Sequence, residues 1–204
     1  MEKYKYKGKN EEQLKQVATE EIGLTEDCLL FKGYEEVSGI LKTKKYILEV
    51  VKLSDLAELG ERMIEDIVSG IGINGKVSSK IRDKQITFQI SSDNNSLLIG
   101  KRGHILDSIQ NYVRQALSKK IDMFVNIIVD VENYKEKQVM YLERKVKNLA
   151  KEVSTTKMDI KLDPMNSYER RIVHNALASF NKVTSESEGE EPNRYIVIKY
   201  KERV

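Results

Sequence analysis

Apolar and polar positions along the 204-residue chain recur at periods that predict three successive blocks of small elements. Glu2 to Lys7 alternates at period two and reads as a strand. Asn10 is placed to cap a helix from Glu11 to about Glu21, with glutamates in its first turn and Gly23 at its end. Two β-rich runs follow, near Cys28–Val37 and Tyr46–Val51. A block of about 50 residues is marginal as an independent core, so residues 1–53 are expected to lean on a neighbour or a partner.

Ser54 then reads as the N-cap of a helix to about Val68, because Leu56, Leu59, Met63, Ile64 and Ile67 recur at helical spacing. Gly70, Gly72 and Gly75 spell GxGxxG, which binds dinucleotides when a strand precedes it and a helix follows. Here a helix precedes and the Ile86–Ile90 alternation follows, so these glycines are expected to cap a helix and turn the chain into a hairpin. A short helix leads to Gly100-Lys101-Arg102-Gly103. The next helix has Ile105, Ile109, Tyr112, Val113, Ala116 and Leu117 as its apolar face, and a strand over Met123–Val131 closes the block. The last block opens with a helix to about residue 154 carrying Val139, Leu142, Val146, Leu149 and Val153. With only about two heptads it is read as a packing helix rather than a coiled coil. A strand (Asp159–Leu162), a helix (Tyr168–Phe180), a strand, an acidic turn (Glu186–Glu191) and a final strand (Arg194–Tyr200) follow. The expected fold class is α+β, in three small domains over 1–53, 54–132 and 133–204.

Composition narrows the function classes. The chain is 40% hydrophobic and 33% charged, a balance that suits a globular protein. No run approaches the roughly 18 apolar residues of a membrane span, and the Lys/Tyr-rich amino terminus lacks a secretory h-region; the expected location is the cytoplasm. One cysteine and two histidines make no zinc-ligand cluster. Neither a paired-carboxylate metal site, a Walker loop nor a nucleophile–base pair stands out. The chain is therefore read as non-enzymatic, with no catalytic residues, no metal and no cofactor. The net charge of +3 is distributed unevenly, at 0 over residues 1–53, −1 over 54–133 and +4 over 134–204. Within the middle block, Ser96 to Lys120 holds Lys101, Arg102, Arg114, Lys119 and Lys120 against Asp107, a local excess on the scale of phosphate contacts.

Two constellations carry chemistry. In Gly100-Lys101-Arg102-Gly103, glycines flanking two cations let the backbone approach a sugar-phosphate chain that a Cβ would block. The helix that follows offers free N–H groups and the positive end of its dipole. Ile99, Ile105 and Ile109 are candidates for an apolar groove under the bases; His104 either stacks on a base or is a first-turn surface residue. A bare GxxG arises by chance in many loops, but between two helices of a helix-strand-strand-helix-helix-strand unit it resembles a type II KH domain, whose loop clamps a few nucleotides of a single strand. The second constellation is Met165–Leu177. Arg170 and His174, four apart, share a helix face whose donors suit one phosphate or one base edge. Ile172, Val173, Ala176 and Leu177 are expected on the opposing, buried side, and Arg171 one step around is expected to matter less. This segment resembles the arginine-three-residues-histidine domain, a single-stranded nucleic-acid binder named for that spacing. Downstream, Arg194 is a further expected contact and the glutamate run a solvated turn.

The two domains in this order, behind a small strand-helix-strand-strand domain, resemble the bacterial Jag (KhpB, SpoIIIJ-associated) family over essentially the whole chain, most specifically at IGKRG and ERRIVH. The resemblance implies a non-catalytic single-stranded RNA-binding protein; whether single-stranded DNA competes stays open. It implies a chaperone or post-transcriptional role in cell shape, division and envelope synthesis, and pairing with a small single-KH protein of KhpA type. An adaptor role linked to a membrane protein insertase is the alternative, and homodimerisation stays open. Relatives commonly carry a Lys-Lys-Gly-Phe-rich loop between the last two strands of the first domain, where this chain has residues 36–43.

Overall fold

The computed structural model describes residues 2–38 and 43–201; positions 39–42 of the loop that departs from the family pattern lie outside them. The architecture is α+β, as expected, with three separate three-stranded sheets among the described residues in two compact units, Met1–Glu132 and Asn133–Val204.

The first unit starts with β1 (Lys3–Gly8), α1 (Glu11–Ile22), β2 (Leu29–Ser38) and β3 (Thr43–Lys52). β3 is central and antiparallel to both neighbours, with Tyr4 opposite Val50 and Tyr6 opposite Leu48. That register puts the alternating apolar residues on one face, where they close over Leu14 and Ala18 of α1. Asn10 caps α1 through its side chain, accepting from the Glu12 N–H at 2.9 Å, and Gly23 ends it in the left-handed region.

β3 runs straight into α2 (Leu53–Gly70). Lys52 is the N-cap and Ser54 lies inside the first turn, because Leu53 is drawn fully under the core and leaves no loop for a capping serine. α2 packs through Leu53, Leu56, Ala57, Gly60, Ile64 and Val68. A Cβ on Gly60 would fall 2.3 Å from the ring of Phe88, so the helix approaches the sheet only where a side chain is missing. Gly70 ends the helix, Gly72 takes a left-handed φ and Gly75 begins β4 (Gly75–Arg82), the helix-to-strand turn that excludes the dinucleotide pattern.

β4, β5 (Gln85–Ser92) and β6 (Asn126–Val131) form the second sheet in that order. β4 and β5 are antiparallel while β5 and β6 are parallel, and the crossover between the parallel pair carries α3 (Asn95–Ile99) and α4 (His104–Ile121). Ile86, Phe88 and Ile90 lie beside Ile127, Val129 and Val131, all buried. The amino-terminal block leans on this part of the same unit. Lys3 Nζ donates to the Ile121 carbonyl at 2.9 Å and Lys32 Nζ to the Asp122 carbonyl at 3.0 Å; Lys32 also pairs with the Asp122 carboxylate.

The second unit comprises α5 (Tyr134–Thr156), β7 (Ile160–Lys161), α6 (Ser167–Leu177), β8 (Val183–Glu188) and β9 (Tyr195–Tyr200). Its sheet runs β7-β9-β8, antiparallel throughout. α5 is a packing helix: Val146, Ala150 and Val153 join Val173, Leu177, Ile196 and Ile198 in one core. Among the described residues no helix is long and apolar enough to cross a membrane.

Candidate nucleic-acid interface

The loop at residues 100–103 is shaped by its glycines. Asn94 caps α3 by accepting from the Leu97 N–H at 3.4 Å, Leu98 is buried beneath it, and Gly100 closes it by donating to the Ser96 carbonyl at 2.9 Å. Gly100 sits at φ 68° and ψ −174°, a region open to glycine, and a Cβ there would lie 2.5 Å from Ile105 Cγ1. Gly103 has φ 82° and Arg102 φ 55°. The chain therefore turns within four residues, with Lys101 and Arg102 exposed at its tip and Gly103 buried under them. α4 begins at His104 behind Gly103 with no side-chain cap, and the His104 N–H donates to the Lys101 carbonyl. His104 is exposed.

Around this loop the apolar residues sort differently from the sequence reading. The buried stripe of α4 is Leu106, Ile109, Val113, Leu117 and Ile121; Ile109, Val113 and Leu117 fall on the expected face, whereas Ile105 and Tyr112 do not. Ile109 is core at 6% exposure, whereas Ile105 and Tyr112, seven apart on one side of the helix, are 44% and 60% exposed. Ile99 is half-buried. Ile105 and Ile99 thus line the loop, and Ile109 does not. The basic window also divides. Lys119 and Lys120 sit at the far end of an 18-residue helix, about 27 Å from the loop, and Arg114 Nη2 donates to Asn111 Oδ1 at 2.8 Å.

In the second unit a capping box starts α6: Asn166 Oδ1 accepts from the Glu169 N–H at 2.9 Å, and Glu169 Oε2 accepts from the Asn166 N–H at 3.0 Å. Arg170 and His174 do share a face, but it turns toward β8 and the β8–β9 turn. The Arg170 side chain keeps 10% of its exposure; Nη1 donates to the Met165 carbonyl at 2.8 Å and Nη2 pairs with Glu191 Oε1 at 2.7 Å. His174 Nδ1 and Ser185 Oγ are 2.7 Å apart, within hydrogen-bond reach, and burial, then the charge of Arg170, hold its imidazole below the usual range. Arg170 is buried beside Val173 and Leu177, not opposite them. It stands three residues before one and seven before the other, so the apolar spacing itself turns it inward. Arg171 is the exposed cation of the pair.

The glutamate run is likewise engaged. Glu186 and Glu188 lie on β8 and both pair with Lys199, at 2.5 and 3.0 Å, holding that ammonium above its ordinary range, while Glu191 is on Arg170. Arg194 is half-buried, its Nε donating to Ser187 Oγ at 2.9 Å. A cavity of about 320 Å³ opens beside His174, bordered by Leu177, Phe180, Ser185 and Lys201. The partners Ser185 and Glu191 escape sequence reasoning because tertiary contact brings them to α6, whereas Met165 and Ser187 are local partners of Arg170 and Arg194. The Asn166-x-x-Glu169 pattern was legible as a helix start and would have set the wheel that buries Arg170.

Residues 140–200 match the family model of the arginine-three-residues-histidine domain. The chain is 33% identical over 186 residues to the RNA-binding protein KhpB of Clostridium symbiosum, covering 89% of this chain and 84% of that one. It is 30% identical over 200 residues to the RNA-binding protein KhpB of Bacillus subtilis (strain 168), covering 95% and 96%. Against the RNA-binding protein KhpB of Lactiplantibacillus plantarum it is 30% identical over 132 residues, 65% of this chain and 41% of the other.

Proposed function

The chain belongs to the KhpB family of RNA-binding proteins, and from that premise we propose that it is a non-catalytic binder of single-stranded RNA that grips the strand at two places. The first is the Gly100–Gly103 loop, within a type II KH domain spanning residues 54–132. The second is the α6 face of the arginine-three-residues-histidine domain. Within this reading the protein acts as an RNA chaperone and post-transcriptional regulator and pairs with a small single-KH protein.

The observation that carries the reading is the loop. Both glycines adopt left-handed φ, two cations stand at the tip, and Ile105 is exposed directly behind an uncapped helix start. This arrangement supports close approach of a backbone phosphate to the loop with the neighbouring base over an apolar side chain. At the second place the exposed Arg171 supplies mobile charge, and His174 and Arg194 border the strand.

Replacing Lys101 and Arg102 together with Asp tests the loop. Because both side chains are exposed, the far-ultraviolet circular dichroism should not change. Charge reversal converts an anion cradle into a repulsive one, so affinity for a single-stranded RNA should fall by about tenfold or more, measured by fluorescence anisotropy. Unchanged affinity with an unchanged spectrum would remove this loop as the principal contact.

A further inference from the structure

Arg170 is half of the arginine–histidine pair that defines its domain, yet in the folded chain its guanidinium already holds an anion. Its stem is packed beside Val173 and Leu177, and Nη1 is fixed by the Met165 carbonyl at 2.8 Å. These contacts position the group without help from Glu191. The carboxylate comes from the other side, on the turn between β8 and β9, where Glu190 to Asn193 are all exposed. The Glu191 side chain is 59% exposed against 10% for Arg170, so the open side of the ion pair is the side of Glu191. An incoming strand that reaches the pair from that side meets the Glu191 carboxylate first. A carboxylate and a phosphodiester both offer oxygens to a guanidinium fork, and both cannot occupy Nη2 at once.

We propose that Glu191 is a resident competitor for the backbone phosphate of single-stranded RNA at Arg170, so that the strand must exchange the carboxylate away to engage the guanidinium. The inference rests on the reading that the α6 face contacts RNA and names the residue that sets how readily it does so. The exchange has a signature in salt. When a phosphate replaces a carboxylate on one arginine, the Arg170–Glu191 site brings no net charge to the strand, so the exchange drives little net counterion release. Arg170 then adds affinity without adding to the salt dependence.

The test measures affinity and salt slope for a single-stranded RNA on the full chain. Glu191→Gln keeps the length and an accepting oxygen but removes the charge. It should bind about two- to fivefold more tightly, the scale of a partly exposed ion pair, and its log–log salt slope should steepen by about 0.7, one phosphate contact on a single strand. Both gains should vanish when Arg170→Ala is added. Glu190→Gln removes a charge from the same turn without touching Arg170 and should produce neither. If Arg170→Ala weakens binding while Glu191→Gln leaves it unchanged, the α6 face is confirmed and the competitor is overturned. If the tightening persists without Arg170, or Glu190→Gln equals it, the effect is general charge removal and the proposal falls. If neither Arg170→Ala with His174→Ala nor Arg171→Ala changes affinity, the α6 face itself is not an RNA contact, and the function reading for this unit fails first. Glu191→Ala, interpreted in the same way, replaces the glutamine variant should the latter lower the melting temperature.

Discussion

The surroundings of His174 lower its pKa, since burial first and the nearby Arg170 charge second disfavour the imidazolium. The consequence for stability follows from linkage. The unfolded chain, with an ordinary histidine near 6.5, takes up a proton before the folded chain does, so the folded state loses ground as pH falls through that value and stops losing it once the depressed folded pKa is passed. The second unit should therefore unfold at a lower temperature at pH 5.5 than at pH 7.5. His174→Gln should flatten that dependence, measured by thermal melts across the range; an identical slope in both proteins would show that another group titrates. At the same scale, the two adjacent arginines differ in setting. Arg170 is a positioned, paired cation and Arg171 an exposed one, because the helix packs through residues 170, 173 and 177.

At the scale of elements, α6 depends on its first turn. The reciprocal hydrogen bonds of Asn166 and Glu169 satisfy two backbone donors that would otherwise lack partners. Asn166→Ala should cost about 1 kcal/mol, read as a shift in the denaturation midpoint of the second unit with an unchanged slope. A change below a few tenths of that value would mean the Met165 and Arg170 contacts alone hold the helix start. α4 shows the opposite case. Its N-terminus is left open by Gly103, and its buried stripe begins at Leu106, so Ile105 and Tyr112 are turned outward. The sequence pattern admitted both stripes, because Ile105 and Leu106 are equally apolar, and only packing against the second sheet decided between them.

For the whole molecule, the proposed grip at two places on one chain makes the second contact intramolecular, with an overall gain of about 10² or more when a strand reaches both. A KH loop covers about four nucleotides, so short oligonucleotides should bind one site weakly and affinity should step upward above a threshold length. The step should disappear in the Lys101→Asp, Arg102→Asp protein. A smooth rise with length that survives loss of either site would mean that the two units act independently and that the carboxy-terminal domain serves another ligand.

The order of elements, the α+β class, the packing role of α5, the glycine loop and its family resemblance were all set by local chemistry: period, caps, and the backbone freedom of glycine. These act over a few residues and are written in the chain directly. What the tertiary structure decided are the matters that depend on which surface an element turns to its neighbour. Ser54 lost its capping role because Leu53 was needed in the core. Ile109 is not in the groove because it packs with Leu106, Val113 and Leu117 in the buried stripe of α4, which turns Ile105 outward. Arg170 turned inward to a carbonyl and a carboxylate, Met165 and Glu191, that lie 5 and 21 positions away in sequence. Charge pairing at that separation has no periodic signal, since it is created only when the β8–β9 turn folds back over the helix.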